Sequence, residues 1–248
     1  MAATTSVSVV IPCYNEEHYV SALLDDLATQ TVRPRQVIVA DCRSTDNTVT
    51  VAMRYAKKLP LTIATSDIRS PGAARNAGAT VATGKYILFT DADNHLPPDT
   101  IERLYTAAQK EHVEYISPLF TWPSRQRLQR RVTKGINRFI MSPATAKRIV
   151  PGIGGCMFVR RSVHEAVGGF DTDHMTEEDM YYLGKLKQYG ASHLILKDLY
   201  IETSDRRFAV DGKLSIVLHF IPKRSWIGRY ITYPLLRRLG KDKRYGMF

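Results

Sequence analysis

Short β-branched apolar runs alternate with stretches of helical period through the first 110 residues, and no other feature constrains the fold of this chain as strongly. Val7 to Ile11 is an apolar run ending at Pro12, and Gln36-Val37-Ile38-Val39-Ala40, Leu61 to Ala64 and Lys85-Tyr86-Ile87-Leu88-Phe89-Thr90 repeat the pattern. Between them, Glu16 to Thr29 carries Tyr19, Leu23, Leu24 and Leu27 at helical spacing. A second helix is predicted over Thr45 to Lys58 with Ser44 or Thr45 as its N-cap. A third is predicted from Ser70-Pro71-Gly72 to Ala82, stopped by Gly84. Strands and helices in this order predict an α/β fold. Its mostly parallel sheet is flanked by helices, its crossovers are right-handed, and its ligands sit at the carboxyl ends of strands.

The second half continues less regularly. A helix is predicted from Asp99 to about Lys110, strands at Glu114 to Pro118, Met157 to Val159 and Ser192 to Leu196, and a helix from Glu177 stopped by Gly190. Leu128, Val132, Ile136, Phe139 and Ile140 fall near one helical face inside a basic segment.

Charge is concentrated. Between Glu114 and Glu165 there is no acid but ten Lys/Arg, and from Lys213 onward nine Lys/Arg face only Asp242, so these zones exceed the whole net charge of +11. The rest of the chain is net acidic, which does not fit a uniformly basic nucleic-acid binder. Cys13, Cys42 and Cys156 are too few and too scattered for a disulfide framework or a zinc site. With no signal-peptide pattern at the start and no run of about 18 apolar residues, the expectation is a cytoplasmic protein, peripheral at most on the cytoplasmic face of a membrane.

Chemistry is sought where polar clusters meet strand ends. Asp91-Ala92-Asp93 follows its strand directly, so both carboxylates emerge at the carboxyl edge with Ala92 turned the other way. Two such oxygens suit Mg²⁺ or Mn²⁺ with positions left for diphosphate oxygens. Taken alone, a solvated turn with capping aspartates fits equally well. Glu178-Asp179 offers a carboxylate to deprotonate a hydroxyl, or else simply acidic charge in the first turn of a helix. For the neighbouring Glu177 the second alternative is the better one. Arg75, just after Gly72-Ala73-Ala74, either forks onto phosphate oxygens or is a surface helix cation.

These residues, with Pro12-Cys13-Tyr14-Asn15-Glu16, Asp41-Cys42-Arg43-Ser44-Thr45-Asp46, Gly72-Ala73-Ala74-Arg75-Asn76 with Gly78, and Gly168-Gly169-Phe170-Asp171, resemble family 2 glycosyltransferases over about residues 6 to 200. The resemblance implies a GT-A fold, a nucleoside-diphosphate sugar donor, a divalent cation and inversion at the anomeric carbon. It implies that Pro12, Tyr14 and Glu16 form the nucleoside loop, and that Asp41 faces the base or ribose. Arg75 would lie near base and phosphates, Asp91 on ribose or metal, and Asp93 on the metal, with Ala92 between them. Asp179 would be the catalytic base with Glu178 beside it, and Gly154-Gly155-Cys156 would line the acceptor and donor-sugar pocket. Thr203-Ser204-Asp205-Arg206-Arg207 resembles a stretch that closes over the diphosphate, and His219 is either a late metal ligand or an interfacial histidine.

Residues 1–95 are thus expected to be a nucleotide-binding half and 96–205 an acceptor-binding half, followed by a basic amphipathic tail over 206–248. Cys42 and Arg43 stand where many members have aspartate and glycine, which leaves the base open, with UDP ahead of GDP. The Gln-x-x-Arg-Trp signature of processive members is absent, so a single transfer is expected. The tail, from Trp226 through Leu239, and segment 125–147 interleave cations with aliphatic and aromatic residues. They suit either an anionic membrane surface, with a lipid-linked or glycan acceptor, or packing on the core. A nucleotidyltransferase would place glycine and a cation after the first strand, where this chain has neither. A non-catalytic basic nucleotide- or nucleic-acid-binding module leaves the ordered carboxylates unexplained.

Overall fold

The computed structural model describes residues 5–122, 133–135, 137–138, 141–147, 149–172 and 178–204. Among the described residues, eight strands form one sheet: β1 (Val7–Cys13), β2 (Gln36–Asp41), β3 (Leu61–Thr65), β4 (Tyr86–Thr90), β5 (Asn94–His95), β6 (Tyr115–Thr121), β7 (Cys156–Arg160) and β8 (His193–Thr203). Their order is β3-β2-β1-β4-β7-β6-β8-β5. The sheet is parallel through β3-β2-β1-β4 and again between β6 and β8, while β7 runs antiparallel to both its neighbours and β5 pairs antiparallel with β8. The alternating first half therefore forms the expected crossover sheet, and the less regular second half adds the antiparallel turn.

Helices cover both faces: α1 (Val20–Ala28), α2 (Thr48–Met53), α3 (Pro71–Thr80), α4 (Thr100–Lys110), a short α5 (Pro143–Ala146), α6 (Arg161–Ala166) and α7 (Glu178–Tyr189). Leu23, Leu24 and Leu27 of α1 and Ile101 and Leu104 of α4 pack with Val9, Ile11 and Leu88 on one face. Ala74 of α3, Val163 of α6 and Tyr182, Leu183 and Leu186 of α7 pack with Val10, Ile38, Ile87 and Phe89 on the other. Strands buried on both faces explain why β1, β2 and β4 read as continuous apolar runs.

Helix α2 is shorter than its predicted span. Thr48-Val49-Thr50-Val51 is a β-branched run with poor helix propensity, and beyond Met53 the chain continues in turns such as Tyr55 N–H to Ala52 O at 3.0 Å. The N-cap position is Asn47, and neither Ser44 nor Thr45 caps the helix. Ser44 donates to Asp41 instead, and the Thr45 N–H donates to Asn15. Helix α1 starts at Val20 because Glu16 to Tyr19 is a turn closed by Tyr19 N–H to Glu16 O at 3.0 Å. Leu128, Val132, Ile136, Phe139, Ile140, His219 and the tail 206–248 lie outside the described residues, as do Glu177 and Asp205 to Arg207. No helix among the described residues is long and apolar enough to cross a membrane.

Candidate active site

The carboxyl ends of β1 and β2 end level, with Pro12 opposite Ala40 and Cys13 opposite Asp41, and their two loops are stitched together. Asn15, at φ 55°, accepts from Thr45 N–H at 2.8 Å and donates its own N–H to Ser44 Oγ at 3.0 Å. The N–H of Glu16, a buried residue, donates to Thr48 Oγ1 at 2.8 Å, and that of Glu17 to Asp46 Oδ2 at 3.1 Å. Buried Asp41 accepts from Ser44 N–H at 3.0 Å and Ser44 Oγ at 2.5 Å. The result is a polar platform whose loop conformations are set by side-chain to backbone bonds, as Asx-type turns require.

The loop after β3 rests on this platform. The Cys42 thiol donates to Ile68 O at 3.4 Å and Ser70 O at 3.6 Å, and Ile68 O also accepts from Ser66 Oγ at 2.8 Å and Ser70 N–H at 3.0 Å. Burial pushes the Cys42 thiol up, so it stays protonated and able to donate. At the loop's exposed rim the Arg69 guanidinium carbon lies 3.7 Å from the centre of the Tyr14 ring.

Ser70 caps α3, accepting from Ala73 N–H at 3.1 Å, with Pro71 opening the helix. Gly72 lets the helix start press against the chain, since a Cβ there would lie 2.7 Å from Asp171 O. One turn on, Arg75 is 3% exposed. Its Nη1 donates to Glu178 Oε1 and its Nη2 to Asp91 Oδ1, each at 2.8 Å. Its Nε has no hydrogen-bond partner among the described residues. One guanidinium thus joins the end of β4 to the start of α7, and the two carboxylates outweigh its burial and keep it charged. Asn76 clamps the backbone of Phe170 from both sides, at 2.9 and 2.8 Å, after a left-handed turn at Gly168 and Gly169. Phe170 stacks on Tyr182 at 4.0 Å and lies under Arg75 at 5.3 Å.

Asp179, half-buried, accepts Met180 N–H at 2.8 Å. Burial and the charge of Glu178 raise it to about 6, against the opposing pull of Arg75 and the Met180 N–H, with Asp91 adding to the rise. Its carboxylate lies on the backbone of Gly154, where any Cβ would overlap Oδ2, and a Cβ on Gly155 would come within 3.0 Å of Asp91 Oδ2. Glycine at 154 is what admits the Asp179 carboxylate, whereas a side chain at 155 would ask the Asp91 carboxylate to give by only a few tenths of an ångström. Gly155 O also accepts Asp91 N–H at 3.1 Å and Asn94 Nδ2 at 2.6 Å, so Asn94, itself bonded to Thr90 and Thr203, pins the turn after β4.

Ala92 packs into the α1 face of the core, between the two aspartates of the turn. Asp91 meets Arg75, whereas Asp93 lines a cavity of about 270 Å³ with His18, Tyr19, His95, Glu202 and Ser204. Among the described residues no three His, Cys, Asp or Glu side chains converge as a metal cage. Mg²⁺ requires none, because it is held by one or two carboxylates with water and phosphate oxygens completing the shell. Asp91 Oδ2 lies outside the ion pair with Arg75 and Asp93 is half-buried at the same turn, so the donor set fits such a cation.

The fold thus brings Asp91, Glu178, Asp179 and Arg75 into one cluster and places Pro12, Tyr14, Glu16 and Asp41 on the adjoining platform. No role was expected for Asn94 or Arg69, and Asn76 stood only as the last residue of the Gly72–Asn76 motif. A buried Asn directly after an Asp-x-Asp triplet, and a lone Arg in the loop before a capped helix, are the available signals.

A half-parallel sheet with polar groups at its carboxyl edge and helices on both faces is a GT-A type of architecture. The chain belongs to glycosyl transferase family 2, whose profile matches residues 8–168. It is 34% identical over 127 residues to YibD, an uncharacterised glycosyltransferase of Escherichia coli, a match covering 51% of this chain and 37% of that one. It is 32% identical over 114 residues to TarS, a poly(ribitol-phosphate) β-N-acetylglucosaminyltransferase of Staphylococcus aureus, covering 44% of this chain and 20% of TarS. The structure of TarS residues 1–349 with UDP-GlcNAc superposes with a TM-score of 0.65 at 20% identity, covering 87% of this chain and 65% of that one. The mannosyltransferase PcManGT of Pyrobaculum calidifontis, with GDP-Man and Mn²⁺, gives 0.64 at 23% identity, covering 96% and 64%. The chain spans well under half the length of these curated relatives.

Proposed function

We propose that the chain is an inverting glycosyltransferase that moves one sugar from a nucleoside diphosphate to an acceptor hydroxyl, with Asp179 as the base. The observation that carries this reading is the placement of the Asp179 carboxylate on the Gly154 backbone, beside the Arg75–Asp91–Glu178 cluster of a family 2 fold, where burial and the charge of Glu178 raise it to about 6. Such a group is ionised at neutral pH yet more basic than an exposed aspartate, as proton abstraction requires. Asp179 takes the hydroxyl proton as the acceptor oxygen bonds to the anomeric carbon. The bond to the diphosphate breaks on the opposite face, and its electron pair leaves with the nucleotide. Asp91 and Asp93 would hold Mg²⁺ or Mn²⁺, which when bound supplies positive charge to the departing diphosphate. Pro12, Tyr14, Glu16 and Asp41 would seat the nucleoside, and Arg75 would act through the carboxylates it holds.

The donor nucleotide is UDP or GDP, in line with the UDP-GlcNAc and GDP-Man bound to the two structural relatives. The acceptor is a glycan or lipid-linked polyol or sugar, a reading supported by the poly(ribitol-phosphate) named for TarS and by the basic segments 125–147 and 213–248. Against an anionic surface each Lys or Arg there would contribute about 1 kcal/mol. Intact protein that fails to bind anionic liposomes would remove the membrane part of the proposal.

The decisive test compares wild type with Asp179→Asn for UDP- and GDP-sugar binding and for transfer with and without Mn²⁺. The variant should bind donor normally and lose about 10²- to 10⁴-fold in kcat. Wild-type transfer by the variant would overturn the assignment of the base.

A further inference from the structure

Tyr115, the first residue of β6, is fully buried and packs with Met157, Tyr182 and Leu183 on the face of the sheet that α7 covers. Its hydroxyl oxygen has no hydrogen-bond partner among the described residues. A buried hydroxyl left unpaired is destabilising, and a phenylalanine ring would fill the same space without it. The oxygen therefore calls for a role outside packing.

Its place relative to the site suggests one. A Cβ on Gly152 would overlap the hydroxyl and lie 3.1 Å from the ring carbon that bears it, just as a Cβ on Gly154 would overlap Asp179 Oδ2. Cα atoms two residues apart are at most about 7 Å from each other, so the phenol and the carboxylate rest on neighbouring points of one backbone ribbon. The ribbon is fixed on both sides, by Val150 N–H to Leu183 O of α7 at 3.2 Å and by Ile153 N–H to Ser117 Oγ at 3.1 Å. Ser117 gives its own proton to Pro118 O at 3.0 Å. Burial pushes the phenol up, the Ser117 side chain opposes this, and the charges of Cys156 and Asp179 add to the rise. Tyr115 thus keeps a proton to donate within the field of Asp179, whose Oδ1 accepts Met180 N–H while Oδ2 lies on the ribbon.

We infer that Tyr115 is a positioning residue for Asp179, its hydroxyl donating through one bridging water to Oδ2 and so holding the carboxylate on Gly154 in the orientation that proton abstraction requires. This rests on the proposed role of Asp179 as the base. The two side chains share no direct hydrogen bond, and a single water between a phenol donor and a carboxylate acceptor satisfies both. Tyr115 is fully buried and does not touch substrate, so its effect falls on turnover and leaves donor binding alone.

Two measurements on the full chain test this. A crystal structure, with no donor needed, should show one water within hydrogen-bond reach of both Tyr115 Oη and Asp179 Oδ2. Release of UDP from UDP-GlcNAc and of GDP from GDP-Man in the presence of Mn²⁺, with water in the place of the acceptor, then gives kcat and KM separately. Tyr115→Phe, which keeps the ring, should lose about tenfold in kcat with donor KM unchanged, and should cause no further loss in the Asp179→Asn background. Gly152→Ala, whose methyl group would displace the hydroxyl, should reproduce the loss. No shared water in the crystal, a wild-type kcat in Tyr115→Phe, a rise in KM in place of the fall in kcat, or the same tenfold loss repeated in Asp179→Asn would each overturn the inference and leave Asp179 as the base. Wild-type turnover by Asp179→Asn itself would overturn both.

Discussion

Two regions meet at the carboxyl edge of the sheet, and they are held by opposite means. The platform of β1 and β2 is an open mesh of side-chain to backbone bonds, in which Asn15, Asp41, Asp46 and Thr48 each satisfy one or more loop N–H groups. The cluster beside it is a buried cation gripping two carboxylates across 103 and 16 positions of sequence, with a third carboxylate alongside. Loss of one of the exposed bonds in the mesh, such as Thr45 N–H to Asn15, leaves groups that water can still reach. Loss of Arg75 leaves the buried Glu178 carboxylate without a counterion, while Asp91 keeps some access to water.

The largest effect should therefore come from Arg75→Met, which strips Asp91 and Glu178 of their counterion. Breaking a buried pair from one side costs about 3–5 kcal/mol, or roughly 6–20 °C in Tm for a chain of this size. Urea denaturation of variant and wild type measures it. A loss under about 1 kcal/mol would show that water enters the cluster freely, and the contrast between the two regions would vanish.

Next comes a pH effect behind the cluster. Burial and then the charge of Lys185 hold His164 down to about 4, and it shares a 2.9 Å hydrogen bond with Tyr182. A depressed folded value means stability that is full above the unfolded value of about 6.5 and is lost as pH falls through about 4. The span corresponds to about 3 kcal/mol, and His164→Phe should flatten that limb in melts at pH 7, 5.5 and 4.

Asp179 has the opposite sign. Its folded value is raised, so its contribution is fully present below the ordinary aspartate value and is lost as pH rises through about 6. Asp179→Asn should thus melt higher than wild type at pH 7.5, by about 1–3 kcal/mol, and no higher at pH 4. Wild-type kcat should rise with pH through about 6. A variant that is less stable at pH 7.5 would mean that the carboxylate is solvated.

The contrast also explains what the sequence disclosed. The strands β1, β2 and β4 were legible because burial on both faces leaves an unbroken apolar run, and Asp41, Asp91 and Asp93 followed from their position at strand ends. Strand β8 was read short because Lys197-Asp198 interrupts it. A register shift opposite Pro118/Leu119 carries the pairing through that interruption, so that Leu199 and Ile201 are buried. Strand β5 has two residues and α6 six, too few for any period to show. The partnership of Arg75 with Glu178 was hidden for a different reason. Its spacing is set by the path of the chain through four intervening strands, and no local pattern encodes it.

The smallest effect should arise in the mesh, at Asp46. Partial burial works against its charge, but donors from Thr48 Oγ1 at 2.5 Å, Thr48 N–H at 2.9 Å and Glu17 N–H at 3.1 Å outweigh it and hold the carboxyl below its usual range. Its contribution is therefore present at neutral pH and lost as pH falls through the depressed folded value. Asp46→Ala removes a turn acceptor of the N-cap kind and should cost about 1 kcal/mol at pH 7, while Asp46→Asn, which keeps one acceptor oxygen, should cost less. Because these bonds also fix the loop that carries Tyr14, the alanine variant should weaken nucleotide binding by a larger factor than its stability loss alone implies. If binding is unchanged while stability falls, the mesh supports the fold only, and the seat of the nucleotide lies closer to the buried cluster.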